Sequence, residues 1–351
     1  MLIVLVILSF YYFMGDQVKE NKPLESPVKH GTAVPVEKGV GSAIPQNSRP
    51  KEGLSIYIGQ SAEAFEDEYG KPNRTEPSPY GYEWWIYNDQ TMIYLGVGED
   101  GVINQVYTPH VTANIAPFEI GQSLEEIYRF SIIGSEIDVT VGENAYTFSL
   151  NSDDLMTRPL MIYKDLFAQL YIEEDSGMLT AVRFINPETL VLHQPYEMGY
   201  MGELISVNRP SSTLQLEVNQ TTERQLFELM NEIREKNNLN RLESNYRLSQ
   251  LARQHSGDLA LAGLASDEEG ELESLVERLK NETIEHKGAA ENTAFHYPDA
   301  IEAVHGWLNS PEHRKAMLSK NFTHAGTGVY ANTYTQIFIK APVESYQNLE
   351  R

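Results

Sequence analysis

Hydrophobic residues along this chain fall into contrasting regimes. Leu2 to Met14 is apolar throughout except for Ser9, whereas Gly15 to Gly53 scatters a few apolar residues among Pro, Gly, Lys, Glu and Ser. The rest of the chain alternates between strand-like and helix-like periods. The head is shorter than the roughly 20 residues that span a bilayer as a helix. It reads as a signal anchor, a cleaved signal segment or a buried core helix. With no Lys or Arg before it and no A-x-A cleavage pattern, export with the segment retained leads. The polar stretch has too few apolar side chains to repay ordering, which predicts a disordered linker over residues 15–53.

Residues 54–206 contain a duplication. Ile58-Gly59-Gln60-Ser61 recurs as Ile120-Gly121-Gln122-Ser123, each followed by a helix-like stretch. Strand-like runs then cover Tyr82 to Tyr87, Thr91 to Val97 and Val102 to Tyr107 in the first copy. In the second they cover Ala145 to Ser149, Leu166 to Glu173 and Leu179 to Ile185. Two αβββ repeats forming a shared or paired antiparallel sheet are predicted. Gly59 and Gly121 supply the turns, and Ser61 and Ser123 cap the helices that follow. Adjacent Trp84 and Trp85 point to opposite strand faces, one expected in the core and the other on a contact surface.

From Thr221 the period becomes helical. Leu226, Leu229, Met230 and Ile233 line one face, with Thr221 or Thr222 as the cap. A second helix from about Asn245 to Gly263 carries His255 on its apolar stripe, where a satisfied core histidine is the expected reading. A shorter piece follows over Leu272 to Leu279. Another helix begins at Pro298, and two β-rich runs, Gly326 to Tyr330 and Tyr334 to Lys340, close the domain. Helices on a sheet of a few strands give an α-β-α layering, so the whole is α+β: a duplicated αβββ module and then an α-β-α sandwich over 220–345.

Charge removes some function classes. The chain carries 27 Lys and Arg against 50 Asp and Glu, a net charge of -23, which disfavours nucleic acid and anionic membrane surfaces as partners. Residues 54–206 hold 24 acids and 6 bases, a balance of -18, while 221–345 hold 19 and 13, a balance of -6. The duplicated module is the acidic one and is assigned to partner recognition. With zero cysteines, disulfides, thiolate catalysis and cysteine-ligated zinc are excluded.

The C-terminal residues resemble the CAP superfamily (cysteine-rich secretory, antigen 5 and pathogenesis-related proteins) in its bacterial SCP-like branch. The resemblance rests on Asn231-Glu232-Ile233-Arg234, Leu251-Ala252-Arg253-Gln254-His255-Ser256-Gly257-Asp258 and Glu291-Asn292. It continues through Gly306-Trp307-Leu308-Asn309-Ser310-Pro311-Glu312-His313-Arg314, Asn321-Phe322-Thr323-His324 and Tyr334-Thr335-Gln336. The acidic duplication resembles the module found before this domain in bacilli. The resemblance implies a central cavity flanked by His and Glu side chains that hold a divalent metal in several members. By position the cavity residues are Glu291 and His313, with Asp267 where the family places a second histidine, and Asn292 and Ser310 beside them. Ala290 stands in place of a glycine, and Ser310 in place of a second glutamate of some members.

Asp267, Glu291 and His313 would form an oxygen-rich site suited by ligand type to Mn, Fe(II) or Zn. Against this, Ser266-Asp267-Glu268-Glu269 also matches a helix capping box, which leaves Asp267 as a first-turn acid. No metal is required, and the bare polar cavity is the leading expectation. Proton transfer by Ser310 with His313, or by Glu291 with His313, would suit a metal-assisted hydrolase of envelope polymer or peptide. No nucleophile elbow or metalloprotease motif accompanies them. The reading is therefore an extracellular or membrane-anchored envelope protein, not assigned an enzymatic activity, that binds a small-molecule, lipid-like or peptide ligand. It touches the membrane only through its N-terminal segment.

Overall fold

A computed structural model describes residues 17–28, 33–36, 47–131, 134–262 and 272–342. The apolar head, Asp267 and the Ser266 to Glu269 capping box lie outside these residues. No helix among the described residues is long and apolar enough to cross a membrane. The described residues form two compact units, those within 27–221 and those within 17–26 together with 222–342.

The stretch read as a linker is not structureless. Strands β1 (Gln17–Glu20) and β2 (Leu24–Glu25) both pair in parallel with a strand at 288–295. Strand β3 (Val34–Pro35) pairs with one at 197–201, and Asn47 bridges to Tyr163. Main-chain hydrogen bonding to an open strand edge needs no apolar side chains, so composition alone misread this stretch.

Within residues 27–221 the duplicated helices are α1 (Ala62–Tyr69) and α2 (Leu124–Phe130). Ser61 accepts from the Glu63 amide, and Ser123 forms a reciprocal capping box with Glu126. Gly59 and Gly121 hold φ of 83° and 89°, in the left-handed range that favours glycine. Equivalent bonds recur in each copy. The Gly59 amide donates to the Ile103 carbonyl, and the Gly121 amide to that of Leu179.

Strands β4 (Arg74–Pro77), β5 (Tyr82–Tyr87), β6 (Ile93–Gly98) and β7 (Ile103–Thr108) belong to the first copy. Strands β8 (Glu136–Val141) and β9 (Asn144–Ser149) come next, followed by helix α3 (Ser152–Thr157). Then come β10 (Leu160–Ile162), β11 (Phe167–Glu173), β12 (Met178–Ile185), α4 (Pro187–His193) and β13 (Glu197–Met201). The antiparallel sheet runs β10-β11-β12-β7-β6-β5-β4, joined across the copies where β12 pairs with β7.

The expected first strand of the second copy, β9, lies instead in a separate sheet ordered β3-β13-β9-β8. Its inward residues Tyr146 and Phe148 are buried with Ile137, Val139, Tyr196 and Met198, a core the first copy lacks. Trp84 is buried. Trp85, left as the member of the pair for a contact surface, is half-buried and packs against the main core of this unit.

The second unit contains the greater part of α5 (Ser212–Lys236), from Thr222 on, and then β14 (Glu243–Ser244), α6 (Tyr246–Leu261) and α7 (Leu275–Asn281). After β15 (Gly288–Phe295) come α8 (Ala300–Leu308), α9 (Pro311–Met317), β16 (His324–Tyr330) and β17 (Thr333–Ile339). Helix α5 starts earlier than expected because no breaker stands between Pro210 and Thr221, and Thr221 Oγ1 bonds back to the Glu217 and Val218 carbonyls instead of capping. Helix α8 is capped by Asp299, so Pro298 precedes the cap and is not the first helical residue.

The sheet runs β1-β15-β17-β16-β14, with β2 also on the outer edge of β15. Helices α6 and α7 pack on the face of Ala289 and Ile337. Asn292 and Gln336 point to the other face, bonding to the His313 carbonyl in α9 and the Leu226 carbonyl in α5. The layering is an α-β-α sandwich.

Candidate functional site

Strand β15 is buried at all eight positions and presents consecutive polar residues, Glu291 and Asn292, to opposite faces of the sheet. Glu291 reaches into the α6 and α7 layer. Its two oxygens accept from both terminal nitrogens of Arg278, at 2.8 Å and 2.9 Å, a paired geometry that matches guanidinium to carboxylate. Arg278 lies on α7, whose capping box at Ser274 and Glu277 fixes the start of the helix. Its Nε also donates to the Glu273 carbonyl at 3.0 Å.

His255 completes this cluster, with Nε2 at 3.3 Å from Glu291 Oε1. It projects from α6 beside Leu248, Leu251, Ala252 and Leu259, all buried. Burial, reinforced by the Arg278 charge, lowers its pKa from 6.5 to about 4, against the opposing pull of Glu20 and Asp258. Burial raises the pKa of Glu291, and the two bonds from Arg278 oppose that rise. The result is a buried carboxylate with its own counter-ion and a neutral imidazole alongside.

The second cluster lies on the other face. Asn292 donates to the His313 carbonyl at 3.0 Å, and His313 Nδ1 sits 2.8 Å from Ser310 Oγ at the start of α9. Burial lowers the pKa of His313, opposed by the Lys22 main chain and Glu312. Its Nε2 is buried with no side-chain hydrogen-bond partner among the described residues. A serine and a histidine three residues apart at a helix start meet through local geometry. Among the described residues no carboxylate bonds the second ring nitrogen to orient the ring as a general base.

The predicted residues are therefore divided. Asn292, Ser310 and His313 come together, while Glu291 turns away from them to Arg278 and His255. Glu291 and His313 were expected to share one hollow, and the alternation of a strand separates them. Arg278 was missed because its positional signal is that of a helix-surface residue. His255 was visible as a buried histidine, though its stripe gave no hint of the carboxylate it faces.

The implied divalent ion can be tested against these groups. Among the described residues no three His, Asp or Glu side chains converge to hold an ion, and Asp267 lies outside them. Both oxygens of Glu291 already face a guanidinium, so a cation there would have to displace Arg278. The described groups do not fit a metal centre.

The titration of His255 has a testable consequence. Between pH 6.5 and about 4 the unfolded chain binds a proton that the folded chain excludes, so stability present above pH 6.5 is lost as pH falls toward 4. The full span is worth on the order of 3 kcal/mol. Glu291, with its raised pKa, changes stability in the opposite sense and is common to both chains of the comparison below. Chemical denaturation of wild type and His255→Gln at pH 7 and pH 4 should show a smaller acid-induced loss in the variant. Equal losses would contradict the buried neutral imidazole.

Comparison with known proteins agrees with this architecture. The CAP-associated N-terminal family profile matches residues 58–196, and that of the cysteine-rich secretory protein family matches residues 227–339. The chain is 35% identical over 294 residues to YlbC of Bacillus subtilis, described as an uncharacterized membrane protein, covering 83% of this chain and 84% of YlbC. The crystal structure of an extracellular SCP-domain protein from Bacillus anthracis matches with a TM-score of 0.77 at 32% identity, covering 86% of this chain and 99% of that one. A cysteine-rich secretory protein from Staphylococcus aureus gives the same TM-score of 0.77 at 26% identity, covering 91% and 98% respectively. From its paired profiles, its relative matched over most of both chains and its shared fold, the chain belongs to the bacterial CAP superfamily, with a CAP-associated domain ahead of a cysteine-rich secretory protein domain.

Proposed function

We propose that this chain is an extracellular or envelope-located binding protein. Its CAP unit holds a small, lipid-like or peptide ligand at the polar groups around β15, and its acidic unit docks a protein partner. The observation that carries this reading is the locked state of Glu291. A carboxylate held by two bonds from Arg278, next to an imidazole kept neutral by burial, is a poor proton shuttle and a fixed support behind the β15 edge. Ion-assisted hydrolysis would first have to break that pair. The location is supported by the extracellular relative from Bacillus anthracis, by the membrane relative YlbC and by the apolar Leu2 to Met14 run. The balance of -18 over residues 54–206 suits a basic partner surface.

Incubating the full chain with solubilised peptidoglycan and with a casein digest, with and without zinc, tests the reading. No product above the blank is expected. Turnover that disappears in Glu291→Gln or His313→Ala would overturn it in favour of a hydrolase.

A further inference from the structure

On the sheet side away from β17, the outer edge of β15 is covered by residues 17–25 of the chain itself. The pairing is parallel, Gln17 with Gly288 through Glu20 with Glu291, and it resumes where Leu24 and Glu25 meet Ala294 and Phe295. Between these stretches lies Pro23, which has no amide to donate. The contacts are mostly polar. The Asn21 amide donates to the Glu291 carbonyl at 3.2 Å and the Ser26 amide to that of Phe295 at 2.9 Å. Asn21 Nδ2 donates to Asn292 Oδ1 at 2.8 Å and to the Glu312 carbonyl at 3.1 Å. Glu20 accepts from the Leu275 amide.

This short segment reaches both clusters. Glu20, opposite Glu291, lies on the α7 side and acts on His255, while Asn21 and Lys22 lie on the α9 side beside His313. Yet it is lightly held. Of residues 18–26 only Asn21 and Ser26 are buried, and Val18 and Leu24 are half-buried. Without it, β15 would be an open edge flanked by polar groups on both faces, the arrangement by which sheet domains recognise extended peptides through an added strand.

We propose that the β15 edge is a binding site for an extended peptide that pairs in parallel and presents a carboxylate followed by an amide side chain. The chain's own residues 17–25 are its resident, displaceable occupant. Main-chain bonds along β15 supply affinity, and the Leu275 amide and the Asn292 side chain read the acid and amide positions. A tethered occupant competes at high effective concentration, so a peptide arriving from solution meets a site that is mostly filled. This deepens the binding reading above by naming the ligand class.

The test uses the full chain and its Asn21→Pro variant, which loses the main-chain bond to Glu291 and both side-chain bonds of Asn21. The probe is a dye-labelled synthetic peptide with the sequence of residues 16–27, followed by fluorescence anisotropy, with hydrogen exchange at 289–295 measured in parallel. The variant should exchange faster along β15 and bind the peptide saturably, with exchange slowing again on binding. The wild type should bind at least about ten-fold more weakly, since apparent affinity falls by the fraction of open site. If Asn21→Pro loosens α9 as well, Asn21→Ala serves in its place.

Unchanged exchange along β15 in both variants would overturn the proposal, as would an opened edge that neither binds the peptide nor regains protection. Peptide that binds and is then cleaved, detected by mass spectrometry, would leave strand addition standing while sinking the non-catalytic reading of the site.

Discussion

Replacing Arg278 with alanine should cost the CAP unit about 3–5 kcal/mol, because it leaves the Glu291 carboxylate buried without a counter-ion. Glu291 is 3% exposed and Arg278 6%, so water cannot take over the lost bonds without opening the α6 and α7 layer. The pair is not for that reason a large net source of stability. Desolvating two charges offsets most of their attraction, and a well-packed apolar pair can be as stable. The double variant Arg278→Met with Glu291→Leu should therefore recover most of the loss. Because the chain has two units, hydrogen exchange at β15 reports the change more cleanly than a single global transition. A small loss in Arg278→Ala would mean that Glu291 is protonated or solvated.

Gly328→Ala should be as damaging, for a steric reason. A Cβ at Gly328 in β16 would lie 2.0 Å from the Arg253 nitrogen and 2.2 Å from the Ala252 carbonyl carbon in α6. These are main-chain atoms that no rotamer change can move aside, so the helix itself must shift off the strand. Gly326 makes a similar approach, 2.3 Å from the Leu248 carbonyl carbon and the Ser249 nitrogen. Helix α6 also carries His255, so the shift would disturb the polar cluster together with the core. A loss of about 4 kcal/mol or more is expected, among the larger effects of single substitutions. Gly257→Ala on the same helix is the control. Its Cβ would meet only Tyr330 Cδ2, at 3.6 Å, and the better helix former should stabilise by about 0.5–1 kcal/mol. Equal outcomes for the two substitutions would contradict the close approach of α6 to β16.

Many residues that made this fold recognisable in sequence act as its clamps. Asn231 bonds both ways with Leu242, and Arg234 donates to the Met317 and Ser319 carbonyls. Trp307 Nε1 donates to the Thr293 carbonyl. Such residues fix loops and layers at long range, and together with the helical and strand periods they make the α-β-α sandwich legible. The duplicated caps were legible for a local reason, since glycine, turn and serine act within a few residues.

The candidate site was only half legible. The family resemblance singles out Glu291 and His313, but which face of the sheet each serves depends on strand alternation and on which helix lies above. Arg278 sits 13 residues before Glu291, on a helix whose charged residues otherwise read as solvent-facing. Residues 17–25 were hidden by composition, because their role is carried by main-chain pairing and by one asparagine. The misplaced β9 has the same origin, since its alternation gives the strand and not the sheet it joins.

The central claim is that Arg278, not a bound ion, neutralises Glu291. Equilibrium dialysis of the metal-stripped full chain against zinc tests it most directly, with metal quantified per chain in wild type and in Glu291→Gln. The account predicts no stoichiometric zinc in either. One tightly held zinc per wild-type chain, lost in Glu291→Gln, would contradict it.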